Sequence, residues 1–230
     1  MKRYEEYKDS DVQWFGKIPS HWIIGKLKYM AKVYTGKTPS TNNDNYYKEE
    51  DINWITPGDI SDNNYYIAEV QNKISRIAIE DNACQLYPSG SIFVVCVGTI
   101  GKVCLTTFDA SCNQQINVLV PNGCNNKFLT YYIMSIKEIL KLNANASLLA
   151  IISQEKTKNI VTLIPPINEQ QSIASFLDAK TKPIDDIISK REKQIELLEE
   201  MKSAIISHAV TKGLNLDAKM KDSGIEWIGE

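Results

Sequence analysis

The feature that most constrains this chain is a long run of helix-forming residues at positions 167–210. Pro165 and Pro166 come directly before it and favour an extended backbone, so a helix is expected to begin after them. Apolar residues then recur every three or four positions, which places them on one helix face; they are Ile173, Phe176, Leu177, Ile184, Ile187, Ile188, Ile195, Leu198, Met201 and Ile205. Such a helix would be roughly 65 Å long, far beyond the usual length in a globular domain.

Written as heptads, the same stretch has the seam of a coiled coil with polar interruptions. The apolar seam residues are Leu177, Ile184, Ile187, Leu198, Met201 and Ile205. This face could lie along the chain's own domain or pair with a second helix. We favour pairing with another chain, because no later segment of this sequence offers an apolar stripe to cover it.

Pro183 interrupts the helical pattern, because a proline inside a helix removes a hydrogen bond and clashes with the preceding turn. Two interpretations remain open from sequence alone. The helix kinks at Pro183, or a first helix ends near Ala179 and a second begins with Thr181 or Lys182 as its cap. Gly213 stands where a left-handed C-terminal cap is expected.

Composition places the chain among ordinary globular proteins. It has 230 residues and a net charge of −2, without an apolar run long enough to span a membrane or a signal-peptide pattern, so we expect a soluble, cytoplasmic protein. Five cysteines occur without a C-x-x-C pair, which fits neither a disulfide framework nor a zinc site and predicts buried, reduced thiols. A protein that binds nucleic acid unaided is usually basic, so DNA binding would need local basic patches or a basic partner.

The strongest strand pattern lies at residues 91–97 and 103–107, two β-rich runs joined by a connection with two glycines. This pattern predicts a hairpin whose glycines allow close approach of a ligand, with Thr99 and Lys102 as phosphate contacts. A plain tight turn remains the alternative. Further strands are expected at 27–34, 51–60 and 160–164, and a helix at 127–142.

Two polar segments are candidates for nucleic-acid contact. Gly36-Lys37-Thr38 lacks the earlier glycine of a phosphate-binding loop, since Ala31 occupies that position. Asn113-Gln114-Gln115 carries amide side chains, which can read adenine but are as often found in turns and caps.

Signals of catalysis are weak. The two histidines, His21 and His208, lie near opposite ends of the chain, and no metal-ligand cluster, nucleophile elbow or dinucleotide fingerprint is visible. We therefore predict no metal site, no cofactor and no enzymatic activity. The ends also resemble each other: residues 8–17 match 221–230 at Lys, Asp, Ser, Trp and Gly, which indicates the start of an internal repeat.

Together these segments resemble the DNA-specificity (S) subunits of type I restriction–modification systems. The resemblance is carried, in order, by Gly36-Lys37-Thr38-Pro39-Ser40, Trp54-Ile55, Asp59-Ile60, Gly98-Thr99-Ile100-Gly101-Lys102, Asn113-Gln114-Gln115-Ile116, Leu163-Ile164-Pro165-Pro166, Glu169-Gln170 and Ser207-His208-Ala209-Val210-Thr211-Lys212-Gly213. Members usually carry two recognition domains, each reading half of a split DNA site, separated by paired antiparallel helices. This chain departs from them by holding one unit and the first residues of a second, so it resembles either a half-length subunit or a truncated form of a longer one.

The resemblance implies an α+β fold: a target-recognition domain with a mixed β-sheet at 1–165, a long helix at 166–213 that pairs as an antiparallel coiled coil, and a tail at 214–230. It implies a non-catalytic subunit that binds double-stranded DNA and docks modification (methyltransferase) subunits and, through the complex, restriction subunits. Two copies would pair as a homodimer and read a palindromic, interrupted site.

The residues that we expect to contact DNA are Lys37, Thr38, Ser40, Thr99, Lys102, Gln114 and Gln115, with Lys73 and Arg76 as weaker candidates. Other functions remain open as alternatives. A stand-alone nuclease or methyltransferase would need a metal cluster or cofactor loop. A coiled-coil scaffold that binds only protein, or an antagonist of a full-length subunit, is compatible with the long helix.

Overall fold

A computed structural model describes residues 4–48, 51–61, 65–67, 69–145, 150–215 and 224. Its contacts divide the chain into two compact units, Met1–Asp178 and Ala179–Glu230.

The strands are β1 Tyr7–Asp9, β2 Lys17–Pro19, β3 Ile23–Lys26, β4 Ala31–Thr35, β5 Ile52–Ile55, β6 Lys73–Ile74, β7 Ile92–Val95, β8 Val103–Leu105, β9 Ala110–Cys112, β10 Ile116–Pro121 and β11 Val161–Ile164. The helices are α1 Arg76–Glu80, α2 Asn126–Ser135, α3 Lys137–Leu142, α4 Gln154–Lys158 and α5 Ile167–Lys212. The α+β class is as predicted.

The centre of the first unit is an antiparallel four-stranded sheet in the order β4-β10-β7-β8. All of β7 is buried, and its alternating side chains enter two different cores: Ile92 and Val94 one, Phe93 and Val95 the other. A strand with period-2 side chains can do this only when both faces of its sheet are covered. The predicted hairpin is confirmed, since Val94 pairs with Val103 across β7 and β8.

A second sheet has the order β6-β5-β9 and is mixed, because β5 pairs parallel with β9 and antiparallel with β6. Strands β9 and β10 are consecutive in the chain yet belong to different sheets. Residues 113–115 therefore form the turn by which the chain crosses from one sheet to the other.

The strand expected at 27–34 is interrupted. A 3-10 turn at Leu27–Tyr29 separates β3 from β4, and Met30 N donates to Leu27 O at 2.9 Å. The two strands pair with different partners, β3 with β11 and β4 with β10, so the chain must turn between them. The closing strand predicted at 160–164 is confirmed as β11.

The helix expected at 127–142 is broken at Ile136, whose backbone angles (φ −101°, ψ 18°) lie outside the helical region. Ile136 is buried in the same core as Ile133 and Leu140. The break therefore separates α2 from α3, while both helices keep apolar residues in one core.

Helix α5 is continuous from Ile167 to Lys212 with Pro183 inside it, so the alternative of two separate helices is wrong. Gly213 has φ +77°, the left-handed cap that was predicted. The start of the helix is tied to the first unit by the buried Gln170, which donates to Pro165 O at 2.8 Å and accepts from Asn125 N at 2.9 Å. In the described residues, no helix is both long and apolar enough to cross a membrane.

Candidate nucleic-acid interface

Two of the predicted contact segments, the loop 36–40 and the turn 113–115, lie directly against each other. Gly36 N donates to Ile116 O and Lys37 N donates to Cys112 O, both at 3.0 Å. The Thr38 hydroxyl donates to the side-chain oxygen of Gln114. The structure thus brings Lys37, Thr38 and Gln114 together from distant parts of the sequence. We call this pair of segments the polar edge.

Gly36 makes this approach possible. A Cβ at this position would lie 2.2 Å from Asn113 O and 2.5 Å from Cys112 Sγ, distances that no side chain tolerates. The glycine of the Gly-Lys-Thr segment is therefore required for backbone packing.

The turn itself is held by Asn113, which is only 7% exposed. Its Oδ1 accepts from Gln115 N at 3.0 Å and its Nδ2 donates to Gln115 Oε1 at 3.2 Å. Two hydrogen bonds fix the backbone of the turn on both sides. Asn113 N donates to Ile55 O at 3.2 Å, and Cys96 N donates to Gln115 O at 2.8 Å. Gln115 is half-buried and engaged in the turn, whereas the Gln114 side chain is exposed.

The loop that carries Lys37 is also fixed by backbone contacts. The Lys37 carbonyl accepts from Cys84 Sγ at 3.1 Å and from Trp54 Nε1 at 3.4 Å, and the Tyr47 hydroxyl donates to Pro39 O at 2.7 Å. The Lys37 and Ser40 side chains are exposed. The polar edge therefore presents exposed polar groups on an ordered backbone.

Lys73 and Arg76, the weaker candidates, lie elsewhere on the first unit. Lys73 is on the edge strand β6, opposite Asn53, and Arg76 is the first residue of α1. Both side chains are exposed, but β5 separates β6 from β9, so the sheet order does not place them beside the turn 113–115.

Thr99 and Lys102 lie in the hairpin connection 96–102. Thr99 is exposed, and the half-buried Lys102 donates from Nζ to Ile60 O at 3.5 Å. Gly98 and Gly101 have φ of +74° and +87°, which explains why glycines stand there. The loop also packs against α3, because a Cβ on Gly101 would lie 2.6 Å from Lys137 Cγ.

Two further lysines, Lys137 and Lys141, line a groove together with Thr99 and Lys102. They were not among the residues predicted to contact DNA. Their spacing of four on a helix was a visible signal, but only the fold shows that this helix faces the hairpin connection.

A polar cluster forms around Asp178, at the end of the first unit. Its carboxylate accepts from Lys127 Nζ at 2.6 Å, from the Tyr65 hydroxyl at 2.7 Å and from the Tyr131 hydroxyl at 2.9 Å. Partial burial alone would raise the pKa of Asp178, but these donors together lower that pKa below its usual value. Burial and the same hydrogen bonds raise the pKa of Tyr65, which stays neutral as a donor.

A similar arrangement surrounds Glu169, which accepts from His21 Nε2 at 2.5 Å and from the Tyr4 hydroxyl and Trp22 Nε1 at 2.9 Å each. Its pKa is also lowered, because these donors outweigh the effect of burial. The N-terminal segment is thereby attached to the first turn of α5. Neither cluster includes a residue that was predicted to contact DNA.

The thiols are free, as predicted, and four of the five cysteines are buried. Burial raises the pKa of Cys96 to about 11 and that of Cys124 to about 12, which is unlike a reactive nucleophile. Across the part of the chain that the structure describes, His, Cys, Asp and Glu side chains form no group of three that could hold a metal ion.

Comparison with known proteins finds one family model that matches this sequence. Residues 19–197 match the model described as "Type I restriction modification DNA specificity domain". The specificity subunit of the type I restriction enzyme MjaIX from Methanocaldococcus jannaschii is 31% identical over 85% of this chain and 44% of its own length.

Two solved structures have a similar fold. A chain from a structure of the type I R-M system aligns with a TM-score of 0.65 and 16% identity, over 88% of this chain and 49% of that chain. The HsdS subunit from Thermoanaerobacter tengcongensis aligns with a TM-score of 0.60 and 15% identity, over 90% of this chain and 48% of that chain. This chain therefore spans about half the length of the relatives that it matches.

Proposed function

Because this chain belongs to the family of type I restriction modification DNA specificity domains, we propose that it recognises a specific DNA sequence within a type I restriction–modification complex. The observation that carries the proposal is the polar edge. There Lys37, Thr38 and Gln114 meet on a backbone that is hydrogen-bonded from both sides.

The chemistry of the polar edge suits DNA. An exposed glutamine amide can pair with the two hydrogen-bonding groups of adenine in the major groove, and an exposed lysine beside it can hold a phosphate. Gln114 is in this proposal the residue that reads a base. The Gln114 oxygen accepts from Thr38 but keeps a second lone pair, and its side chain is exposed. Gln115 has less freedom to read a base, because its side chain is half-buried as well as bound by Asn113. Ser40, Thr99 and Lys102 add contacts nearby, and Lys73 and Arg76 would serve only DNA that extends across the three-stranded sheet.

The chain would carry out recognition without chemistry of its own. Its relatives are specificity subunits. Methyl transfer and cleavage would belong to modification and restriction subunits that dock on this chain in the cytoplasm. Such partners would also explain how a chain with a net charge of −2 binds a polyanion, since they can supply most of the phosphate contacts.

The second unit suits pairing with another copy. Five of the six predicted seam residues lie in it, and they are 56% to 59% exposed: Ile184, Ile187, Leu198, Met201 and Ile205. Leu177, the sixth, is half-buried in the first unit. Because these side chains are little more than half exposed, each one that pairing buries would contribute roughly 1 to 2 kcal/mol. We propose an antiparallel homodimer whose two identical recognition domains read a palindromic site with a spacer.

The decisive experiment is selection of bound duplexes from a randomised DNA pool by the chain together with type I modification subunits. We expect a single interrupted palindrome. Gln114→Ala should then lose about 1 to 3 kcal/mol of discrimination between selected and scrambled duplexes. Lys37→Ala should weaken binding to both duplexes alike, because a phosphate contact carries no sequence information.

Two results would contradict this assignment. Equal loss on both duplexes for Gln114→Ala would exclude it as a base-reading residue. Failure of the complete assembly to retain any DNA would instead favour a coiled-coil scaffold or an antagonist of a longer subunit, for which the exposed helix face alone would suffice.

A further inference from the structure

We infer that the groove between the hairpin connection 96–102 and helix α3 binds a phosphate of the DNA backbone through Lys102, Lys137 and Lys141. This inference rests on the proposed DNA recognition and gives the groove a separate task, holding the backbone while the polar edge reads bases. No residue of α3 was among those expected to contact DNA.

The groove concentrates positive charge in a concave surface. Thr99 and Lys102 line it from the hairpin connection, and Lys137 and Lys141 line it from α3. A second hollow beside it shares Lys102 and Lys137 and continues to Ser61 and Tyr65. Three ammonium groups and an exposed hydroxyl around one concave surface offer the donors that a phosphodiester oxygen accepts.

The lysines are brought together by the backbone. Lys137 and Lys141 are four residues apart and share one helix face. Gly101 allows the hairpin connection to approach that face, since its Cβ would lie 2.6 Å from Lys137 Cγ and 3.4 Å from Lys137 Cα.

One acidic side chain, that of Glu138, contacts a lysine of the groove. Glu138 pairs with Lys141 at 2.7 Å, but 77% of the Glu138 side chain and 46% of the Lys141 side chain are exposed. An exposed pair of this kind is weak and screened by salt, so a phosphate can compete for Lys141.

The hairpin connection that carries Thr99 and Lys102 begins next to the proposed reading site. Cys96, the first residue of the hairpin connection, donates from its backbone N to Gln115 O at 2.8 Å. DNA whose base edge contacts Gln114 would therefore have its backbone near this loop. A phosphate held there fixes the register of the duplex, while base contacts select the sequence.

Salt dependence of binding tests the inference. The complex containing Lys137→Gln/Lys141→Gln is compared with wild type and with a control, Lys28→Gln/Lys32→Gln, in which two exposed lysines outside the groove are changed. Each lost phosphate contact lowers the slope of log K against log salt by about 0.9, so we expect a decrease of roughly 1.8 for the groove variant and none for the control. Discrimination between selected and scrambled duplexes should stay at the wild-type ratio.

The outcomes separate this inference from the proposed function. A groove variant with the wild-type slope, or one that loses affinity only for the selected sequence, would overturn the groove assignment and leave DNA recognition intact. Absence of DNA binding by the wild-type complex would overturn both. Lys137→Arg/Lys141→Arg, which keeps both charges, should restore the slope; failure to do so would show that the loss came from altered packing and not from charge.

Discussion

Replacing Gly36 by alanine should separate the two segments of the polar edge. The new Cβ would meet Asn113 O at 2.2 Å and Cys112 O at 2.6 Å, and both atoms belong to backbone that cannot rotate away. Overpacking of this kind costs about 1 to 3 kcal/mol. The shift also weakens the hydrogen bonds from Gly36 N and Lys37 N, each worth about 0.5 to 1.5 kcal/mol. We expect a total loss of about 2 to 6 kcal/mol in the free energy of unfolding.

The assay is denaturant unfolding of Gly36→Ala beside Gly58→Ala. Gly58 is the matched control because a Cβ there would meet only Thr56 Oγ1, at 3.7 Å. Its substitution should change stability by about 1 kcal/mol or less. Gly36→Ala should also lose discrimination between DNA sequences, since Thr38 and Gln114 would no longer meet. Equal stability of the two variants would refute the argument that the close approach requires glycine.

Two further predictions concern the helix and its first attachment. Light scattering of the chain should give a dimer near twice 26.0 kDa. Leu198→Asp should shift the chain to monomer, whereas Ser203→Asp, on the opposite helix face, should leave the dimer intact. A monomeric wild type would contradict the proposed pairing. Because the pKa of Asp178 is lowered in the folded chain, its stabilising effect should be complete at neutral pH and fade as the pH falls below about 4. Thermal unfolding should therefore be less sensitive to acid in Asp178→Asn than in wild type, and identical acid sensitivity would contradict the role assigned to the carboxylate.

Local patterns predicted much of the fold because several elements are specified by nearby residues. The β7–β8 hairpin, β11 and helix α5 follow from period-2 or period-3.6 apolar spacing with clear turn and cap residues. The interruption at Leu27–Tyr29 could not be predicted in this way, since it arises from strands that pair with β10 and β11, far along the chain. The same limit applied to Ile136, where tertiary packing overrides a continuous helical pattern.

The candidate site, like the fold, could be predicted only in part from the sequence. Lys37, Thr38 and Gln114 were identified as polar residues in glycine-containing or amide-rich loops, but Thr38 and Gln114 are 76 positions apart and only the fold shows their contact. Lys137 and Lys141 were not predicted as contact residues, because their spacing is equally typical of the solvent-exposed face of an ordinary helix. The groove that these two lysines line forms only because Gly101 lets the hairpin connection pack against that helix.

Under the proposed function, these contacts would allow one framework to serve many DNA sequences. Gly36, Asn113 and the backbone groups around them are buried and committed to holding the two segments together, so few substitutions are possible there without loss of stability. Gln114 and Ser40 project from the same backbone with exposed side chains, where substitutions usually cost little. If Gln114 reads a base as proposed, a change there would alter the base that is read and leave the fold intact. On this argument, the lysine groove should accept any DNA that the exposed side chains select, because it binds a group that every sequence contains.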